Sequence, residues 1–336
     1  MGERDTVIPF AAGELRAAVR TWGGTLARLE APDRNGRLAD VVLGFDSQAG
    51  YAASPAHVGG IVGRYANRIA ESRFTLDGVV YELAPNEGRH QLHGGAGGFD
   101  RRIWHATPLA DGSGVALERI SADGEEGYPG TLRCRVEYRI RPPRALALTY
   151  EATCDRATPV SLTHHAYWNL AGPPGEPILD HVLEIAADRY VPVDAEHIPT
   201  GALRDVAGTP FDFRTPRAIC AALDLAHPEL ALHRGYDHPF ALRPGTGGVR
   251  FAARLREPKS GRVLEIETDA PCLQLYGGQF LAEGPGKAGW RHRASAGLCL
   301  EAQAFPDAPN RPAFPPSILR PGEVYRQETV YRFGAE

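Results

Sequence analysis

The sequence predicts an all-β protein, a large antiparallel β-sandwich, and three observations predict it. Apolar and polar residues alternate with period two over long stretches, the pattern of strands with one buried and one wet face. Turn residues punctuate those stretches at short intervals, with 28 prolines and 38 glycines in 336 residues. Helical signals are confined to two short segments, residues 46–53 and 216–225.

In chain order, residues 15–20 are the first strand candidate. Residues 74–81 form an apolar run broken by Asp77-Gly78, a strong hairpin signal. After a candidate at 115–120, Leu132, Cys134, Val136, Tyr138 and Ile140 alternate without a fault with Arg133, Arg135, Glu137 and Arg139. Beyond the turn at Pro142-Pro143 the pattern repeats in Leu146, Leu148, Tyr150, Ala152 and Cys154, which predicts an antiparallel hairpin. Residues 249–255 and 263–268 flank Lys259-Ser260-Gly261 as a further hairpin. Residues 183–185, 298–300 and 324–333 complete the set. Pro173-Pro174-Gly175 reads as a loop rather than a boundary, and there is no repeat or long linker. Residues 1–336 are therefore expected to form a single domain, a size that large all-β sandwiches reach.

A composition of 43% hydrophobic and 23% charged residues is that of a globular protein, and a net charge of −4 is too small to imply a nucleic-acid or acidic-membrane partner. The basic residues are arginines apart from Lys259 and Lys287; they are scattered, as GC-rich codon usage would leave them, not clustered as in RNA binding. The start Met1-Gly2-Glu3-Arg4-Asp5 carries no apolar stretch suited to a signal peptide, and no run approaches the ~18 apolar residues of a membrane span. The five cysteines, Cys134, Cys154, Cys220, Cys272 and Cys299, are widely spaced and read as free, mostly buried thiols. A cytoplasmic protein is expected.

Two ligand motifs fail on inspection. Gly284-Pro285-Gly286-Lys287-Ala288-Gly289 fits the dinucleotide pattern but precedes Trp290-Arg291-His292-Arg293, which lacks the helix such a site needs, so it reads as a surface loop. His93-Gly94-Gly95-Ala96-Gly97-Gly98 lacks the Lys-Ser/Thr ending of a phosphate loop. The pairs His90/His93 and His164/His165 are unsupported by an HExxH motif or a cysteine cluster, and neighbours on a strand face opposite ways, so no metal site is expected.

Five segments gather polar, titratable residues among the strands: Gly63-Arg64-Tyr65-Ala66-Asn67-Arg68-Ile69, Gln91-Leu92-His93-Gly94-Gly95, Thr163-His164-His165-Ala166-Tyr167-Trp168-Asn169-Leu170, Gly235-Tyr236-Asp237-His238-Pro239-Phe240, and Cys299-Leu300-Glu301-Ala302-Gln303. Singly, each has a plain explanation. A histidine in a strand is usually structural, Asp237 before His-Pro suits a turn, Glu301 suits a strand's exit to solvent, and Arg68 suits a surface charge. Together with Cys272-Leu273-Gln274-Leu275-Tyr276-Gly277-Gly278-Gln279-Phe280 and the stretch from Leu298 to Pro312, they resemble the aldose 1-epimerase (galactose mutarotase) family. The resemblance runs from about Val58 to the C-terminus, with Trp22-Gly23-Gly24 as an echo before it.

The resemblance implies a large antiparallel sandwich with an open carbohydrate cleft. It also implies His165 as the acid and Glu301 as the base, with Arg68 and His93 against the sugar ring and Asp237 gripping hydroxyls. Asn67 and Gln274 look like further hydrogen-bonding partners. The family commonly has Asn where this chain has His164, and His165 is assigned by its spacing to Tyr167 and Asn169. The implied reaction opens the hemiacetal of a free monosaccharide, rotates about C1–C2 and recloses on the other face. It moves only protons, so it requires neither cofactor nor metal. The expected protein is a monomer or homodimer. Rival readings are an epimerase of phosphorylated or oligomeric sugars, a glycosidase using Asp237 and Glu301, and a non-catalytic sugar-binding module.

Overall fold

The computed structural model describes residues 4–336; Met1, Gly2 and Glu3, at the start read above as carrying no signal peptide, lie outside the described residues. Strands make up 43% and helices 10% of the chain, which places it in the all-β class. A nine-stranded antiparallel sheet runs in the order His105–Pro108, Gly114–Ser121, Leu132–Arg141, Ala145–Cys154, Tyr325–Ala335, Arg262–Thr268, Arg250–Arg256, Val182–Ile185 and Arg217–Ala218. A five-stranded sheet follows the order Arg204–Asp205, Ala187–Tyr190, Asp237–Leu242, Cys272–Tyr276 and Cys299–Gln303. A third sheet of four strands, between Val7 and Asp40, is a simple meander.

Alternation decides which residues join the core. In Leu132–Arg141 every second residue is buried, and Val136 and Tyr138 meet Leu148 and Tyr150 of the paired strand. These side chains share one apolar cluster with Leu264, Ile266 and Tyr331 from the same sheet and Phe240, Leu273, Leu275 and Leu300 from the five-stranded sheet. The meander adds Leu15, Val19, Leu26 and Leu29 to it. The opposite face of the large sheet carries ion pairs such as Arg139–Glu137 at 2.8 Å and Arg332–Glu267 at 2.9 Å. Such exposed pairs add little stability and keep that face wet. The Asp77-Gly78 turn joins Arg73–Leu76 to Val79–Glu82 with positive φ at both residues, 51° and 80°, as a two-residue hairpin of matching twist requires.

The helical expectations hold in part. Residues 48–53 form a helix, capped by Ser47. In 216–225, Arg217–Ala218 pairs with Val182–Ile185 at the sheet edge, and only Ile219–Ala222 is helical. A further helix, Pro228–His233, starts on its proline. The glycine-rich segment is a mostly exposed turn at the surface, as expected, with one buried residue. Gly284–Pro285 pairs with Arg291–His292 around a tight turn, and the turn's Lys287 is buried against Asp40 at 2.7 Å. The five cysteines are free, and among the described residues no helix is long and apolar enough to cross a membrane.

One buried cation ties the loop at residue 64 to the chain around residues 121–130 and to Thr158. The Arg64 guanidinium donates to the carbonyls of Pro129, Gly130, Ser121 and Ala122 and to the hydroxyls of Ser121 and Thr158. Replacing it with leucine leaves those acceptors buried and unpartnered, at a cost of at least about 3 kcal/mol. Urea unfolding of Arg64→Leu should show that loss, and a change under about 1 kcal/mol would refute the assignment.

Candidate active site

One wall of the site is regular sheet. In the antiparallel register Gln274 stands opposite Glu301, and Tyr276 stands opposite both Asp237 and Cys299. Directly paired residues share a face, so Asp237, Gln274, Tyr276, Cys299 and Glu301 present their side chains together. Their neighbours Leu273, Leu275, Leu300 and Ala302 enter the core behind them. Glu301 is thus not at an exit to solvent; it is 2% exposed within Cys299–Gln303. Asp237 opens a strand rather than a turn.

The facing wall is built from loops. His165 leaves the short strand Thr163–His164, and its backbone bonds to Gly59 and Gly60. His164 points the other way, against Tyr138, Trp168 and Tyr331, as opposite faces require. Asn67 and His93 hold each other. The His93 backbone N–H donates to the Asn67 carbonyl at 3.0 Å, and the Asn67 N–H donates to His93 Nδ1 at 3.1 Å. Gly94 makes this possible: at φ +81° a side chain there would lie 2.0 Å from the Gly63 carbonyl. Arg68 is no surface charge, being 7% exposed and held by Glu87 through two bonds, Nε to Oε2 at 2.5 Å and Nη2 to Oε1 at 2.9 Å.

All seven residues singled out from the sequence, Asn67, Arg68, His93, His165, Asp237, Gln274 and Glu301, line one cavity of about 290 Å³. A wider groove of about 830 Å³ crosses the outer face of the large sheet. There Arg135 is paired with Glu118 and Glu137, and Arg326 with Glu151.

Within the cavity, His165 Nε2 lies 3.8 Å from Glu301 Oε1, too far for a hydrogen bond and close enough for one atom to bridge them. Glu301 Oε2 and Gln274 Oε1 are buried acceptors without a protein partner. Burial pushes the Glu301 carboxyl well above its ordinary range, the charge of Asp237 adds to this, and Arg68 partly offsets it. Burial also pulls His165 down to about 3, with His57 contributing. Asp237 behaves oppositely. Burial raises it, but His197 at 3.1 Å and the charge of Arg68 outweigh burial and hold it well below the carboxylate range. Gln274 also donates to it at 2.6 Å. The two carboxyls are therefore unlike: Asp237 a fixed anion, Glu301 a group able to take up and release a proton.

Among the described residues, His93, His165 and Glu301 bring their ligating atoms within 4.8 Å of one another. The donor set does not suit a metal ion. A backbone N–H can only donate, so His93 Nδ1 is an acceptor and its proton sits on Nε2, leaving no lone pair there for a metal. His93 is instead a hydrogen-bond donor to whatever fills the cavity.

Sequence reasoning passed over several lining residues. Tyr167, Tyr276 and Phe280 stand inside quoted motifs, and Phe280, half exposed at the rim, stacks on Tyr276. His57, Glu87 and His197 lie between motifs and reach the cavity only through folding. Cys299 backs the acid–base pair, its sulfur 3.4 Å from His165 Nδ1.

Comparison with known proteins finds relatives along almost the whole chain. The family model described as aldose 1-epimerase matches residues 7–332, well before the start at Val58 seen from motifs alone. The galactose mutarotase of Bos taurus is 46% identical over 322 residues, 95% of this chain and 91% of that one. The aldose 1-epimerase of Escherichia coli K12 is 40% identical over 94% of this chain and 91% of its own. Among solved structures, the aldose epimerase homologue from C. elegans superimposes with a TM-score of 0.91, 36% identity and 99% coverage of both chains. Galactose 1-epimerase from Lactobacillus acidophilus gives 0.84 and 27%, again with 99% coverage of both.

The histidines carry a consequence for stability. Burial pulls His164 and His238, like His165, to about 3, and His181 and His233 to about 4. Between those values and the ordinary ~6.5 the unfolded chain binds protons that the folded chain refuses, so stability rises with pH across that window. It is complete above about 6.5 and erodes on acidification. Unfolding free energies between pH 4 and pH 7 should show this slope, shallower in His164→Gln by up to about 1.4 kcal/mol per pH unit. An unchanged slope would mean that His164 is not buried neutral.

Proposed function

The chain belongs to the aldose 1-epimerase family, and we propose that it interconverts the anomers of a free aldose by moving protons between the sugar, His165 and Glu301. The observation that carries this reading is the 3.8 Å gap between His165 Nε2 and Glu301 Oε1, in a buried cavity whose remaining polar atoms await hydroxyl partners. Glu301 takes the proton of the C1 hydroxyl while His165 delivers one to the ring oxygen. After rotation about C1–C2 the two groups exchange roles, so no proton is consumed. Burial works against charge on both members, so one proton serves the two, and the form that opens the ring is the one with that proton on His165 and none on Glu301. The His93 Nε2–H and the part of the Arg68 guanidinium not bound to Glu87 donate toward negative charge as it develops. Asp237, charged and braced by Gln274 and His197, grips hydroxyls away from the reacting centre, and Asn67 and Gln274 complete the set.

The charge of the cavity favours a neutral sugar over a phosphorylated one. Its lining holds three carboxylates, Glu87, Asp237 and Glu301, and one guanidinium, Arg68, already bound to Glu87. A phosphate dianion would meet no free cation of the arginine or lysine type there. A glycosidase reading leaves His165 without a task. On this proposal the whole chain is one functional unit, a cytoplasmic monomer or homodimer with no nucleic-acid or membrane partner.

The test is polarimetry on freshly dissolved α-glucose and α-galactose. Glu301→Gln keeps shape but cannot accept the proton, so kcat should fall by about 10²–10⁴-fold, and His165→Asn should do the same. The double variant should lose far less than the product of the two, because disabling either group already stalls ring opening. Asp237→Asn should raise KM as well as lower kcat. Near-parental turnover by folded Glu301→Gln would sink the mechanism. Full activity after exhaustive EDTA treatment is expected, and a requirement for added zinc or manganese would force new roles on the histidines.

A further inference from the structure

The loop wall holds a carboxylate–imidazole pair that the mechanism above does not use. His57 lines the cavity with its ring centroid 4.7 Å from that of His93 and 5.9 Å from that of His165. Its Nδ1 lies 2.8 Å from Oδ2 of Asp100, which is 6% exposed. Asp100 is shaped for close burial. Gly60 packs against it so tightly that a side chain at position 60 would lie 2.7 Å from the Asp100 Cβ. Arg101 approaches the same carboxylate oxygen at 3.1 Å, and its guanidinium binds the carbonyls of Ala52 and Ser54 at the end of the helix Gln48–Ala53. The loop carrying His57 is thus fastened from beneath.

These contacts fix the direction of each hydrogen bond. A carboxylate oxygen accepts, so His57 carries its proton on Nδ1 and keeps a lone pair on Nε2. His93 is the reverse, since the Asn67 N–H requires a lone pair on Nδ1 and leaves Nε2–H as donor. Two neighbouring imidazoles therefore offer the cavity an acceptor and a donor side by side. A sugar hydroxyl, which both donates and accepts, is the group such a pair matches.

We propose that His57, oriented by Asp100, is a further substrate-contacting residue that with His93 clamps one hydroxyl of the sugar. Asp100 is the positioning residue of this pair. The inference rests on the cavity taking a free sugar, as proposed above, and extends it to the residue that selects among sugars. The groups facing His57 are Asp100, Arg101, His93 and His165.

The test is steady-state mutarotation of glucose and its 2-, 3-, 4- and 6-deoxy analogues by the parent, His57→Phe, Asp100→Asn and the double variant. Phenylalanine keeps a ring against His93 and His165 but offers no acceptor. His57→Phe should lower kcat/KM for glucose about 10-fold, mainly through KM, with an unchanged melting temperature. For one deoxy analogue, the one lacking the clamped hydroxyl, parent and variant should be equal. Asp100→Asn should lower kcat/KM similarly, and the double variant should be no worse than His57→Phe, since Asp100 acts on the sugar only through His57. If Asp100→Asn fails to fold, because Asp100 also supports Arg101, the His57→Phe series decides alone. Retention of kcat/KM within two-fold on glucose, or an equal loss on every deoxy analogue, overturns the clamp. A parent without mutarotase activity would instead overturn the functional reading, and the clamp with it.

Discussion

A carboxyl group with no protein donor, buried in the middle of a sheet strand, is the constraint on which this structure depends. Glu301 is flanked by Leu300 and Ala302, which enter the main core, so the strand cannot rotate to release it. Its Oε2 finds no partner. An unsatisfied buried carboxyl costs on the order of several kcal/mol. The core shared by the nine-stranded and five-stranded sheets must outweigh that cost, and it does so by packing side chains from strands throughout the chain around one apolar layer. The missing donors are what a polyol supplies.

The same sheet holds two carboxyls in unlike conditions. Asp237 has Gln274 and His197 against it, and the partners of its charge outweigh burial. Glu301 has no hydrogen bond from the protein, with His165 3.8 Å away and His93 within 4.8 Å, and the neighbouring anion makes its own charge harder to keep. One group can hold a substrate without exchanging protons, and the other can exchange protons because nothing holds it. Neither role belongs to the residue type. Both follow from the partners that folding supplies, which is how one cavity can hold a fixed charge and an exchangeable proton side by side.

Much of this was legible in the sequence, and the reason differs by element. Residues 132–141 were readable because they bury one face, so the pattern of side chains is the pattern of the strand; in 145–154 the same alternation feeds the core, although Ala145 and Ala147 are also covered, against Val330, on the other face. The Asp77-Gly78 turn was readable because few other residue pairs accept two positive φ values. The seven candidate site residues were readable as motifs, which collect the chemistry into short segments. Arg217–Ala218 was not, because its pairing with Val182–Ile185 spans more than thirty residues and overrides a local helical preference. The burial of Lys287 was not readable for a similar reason, its partner Asp40 lying at the other end of the chain. His57 and Asp100 belong to no common motif, and folding brings carboxylate and imidazole together, with Gly60 packed closely against Asp100.

The two walls of the cavity solve different geometric problems. The sheet wall sets Asp237, Gln274, Tyr276, Cys299 and Glu301 at strand spacing, a rigid array in which successive useful positions are two residues apart. Imidazoles that must converge on one atom cannot be set that way, because strand neighbours point to opposite faces, as His164 and His165 demonstrate. The loop wall abandons regular backbone instead. His57, Asn67 and His93, and beside Asp237 also His197, adopt left-handed conformations with φ of 51°, 64°, 54° and 60°. Each costs roughly 1–2 kcal/mol for a residue with a side chain, so each must be held in place. The restraints are visible: Asp100 on His57, the reciprocal bonds between Asn67 and His93, and Asp237 with His233 on His197. Every restraint that fixes a backbone also fixes which ring nitrogen carries a proton or which atom is left free. Strain and hydrogen-bond direction are thus set by the same contacts, and the cavity is prepared for its ligand before the ligand arrives.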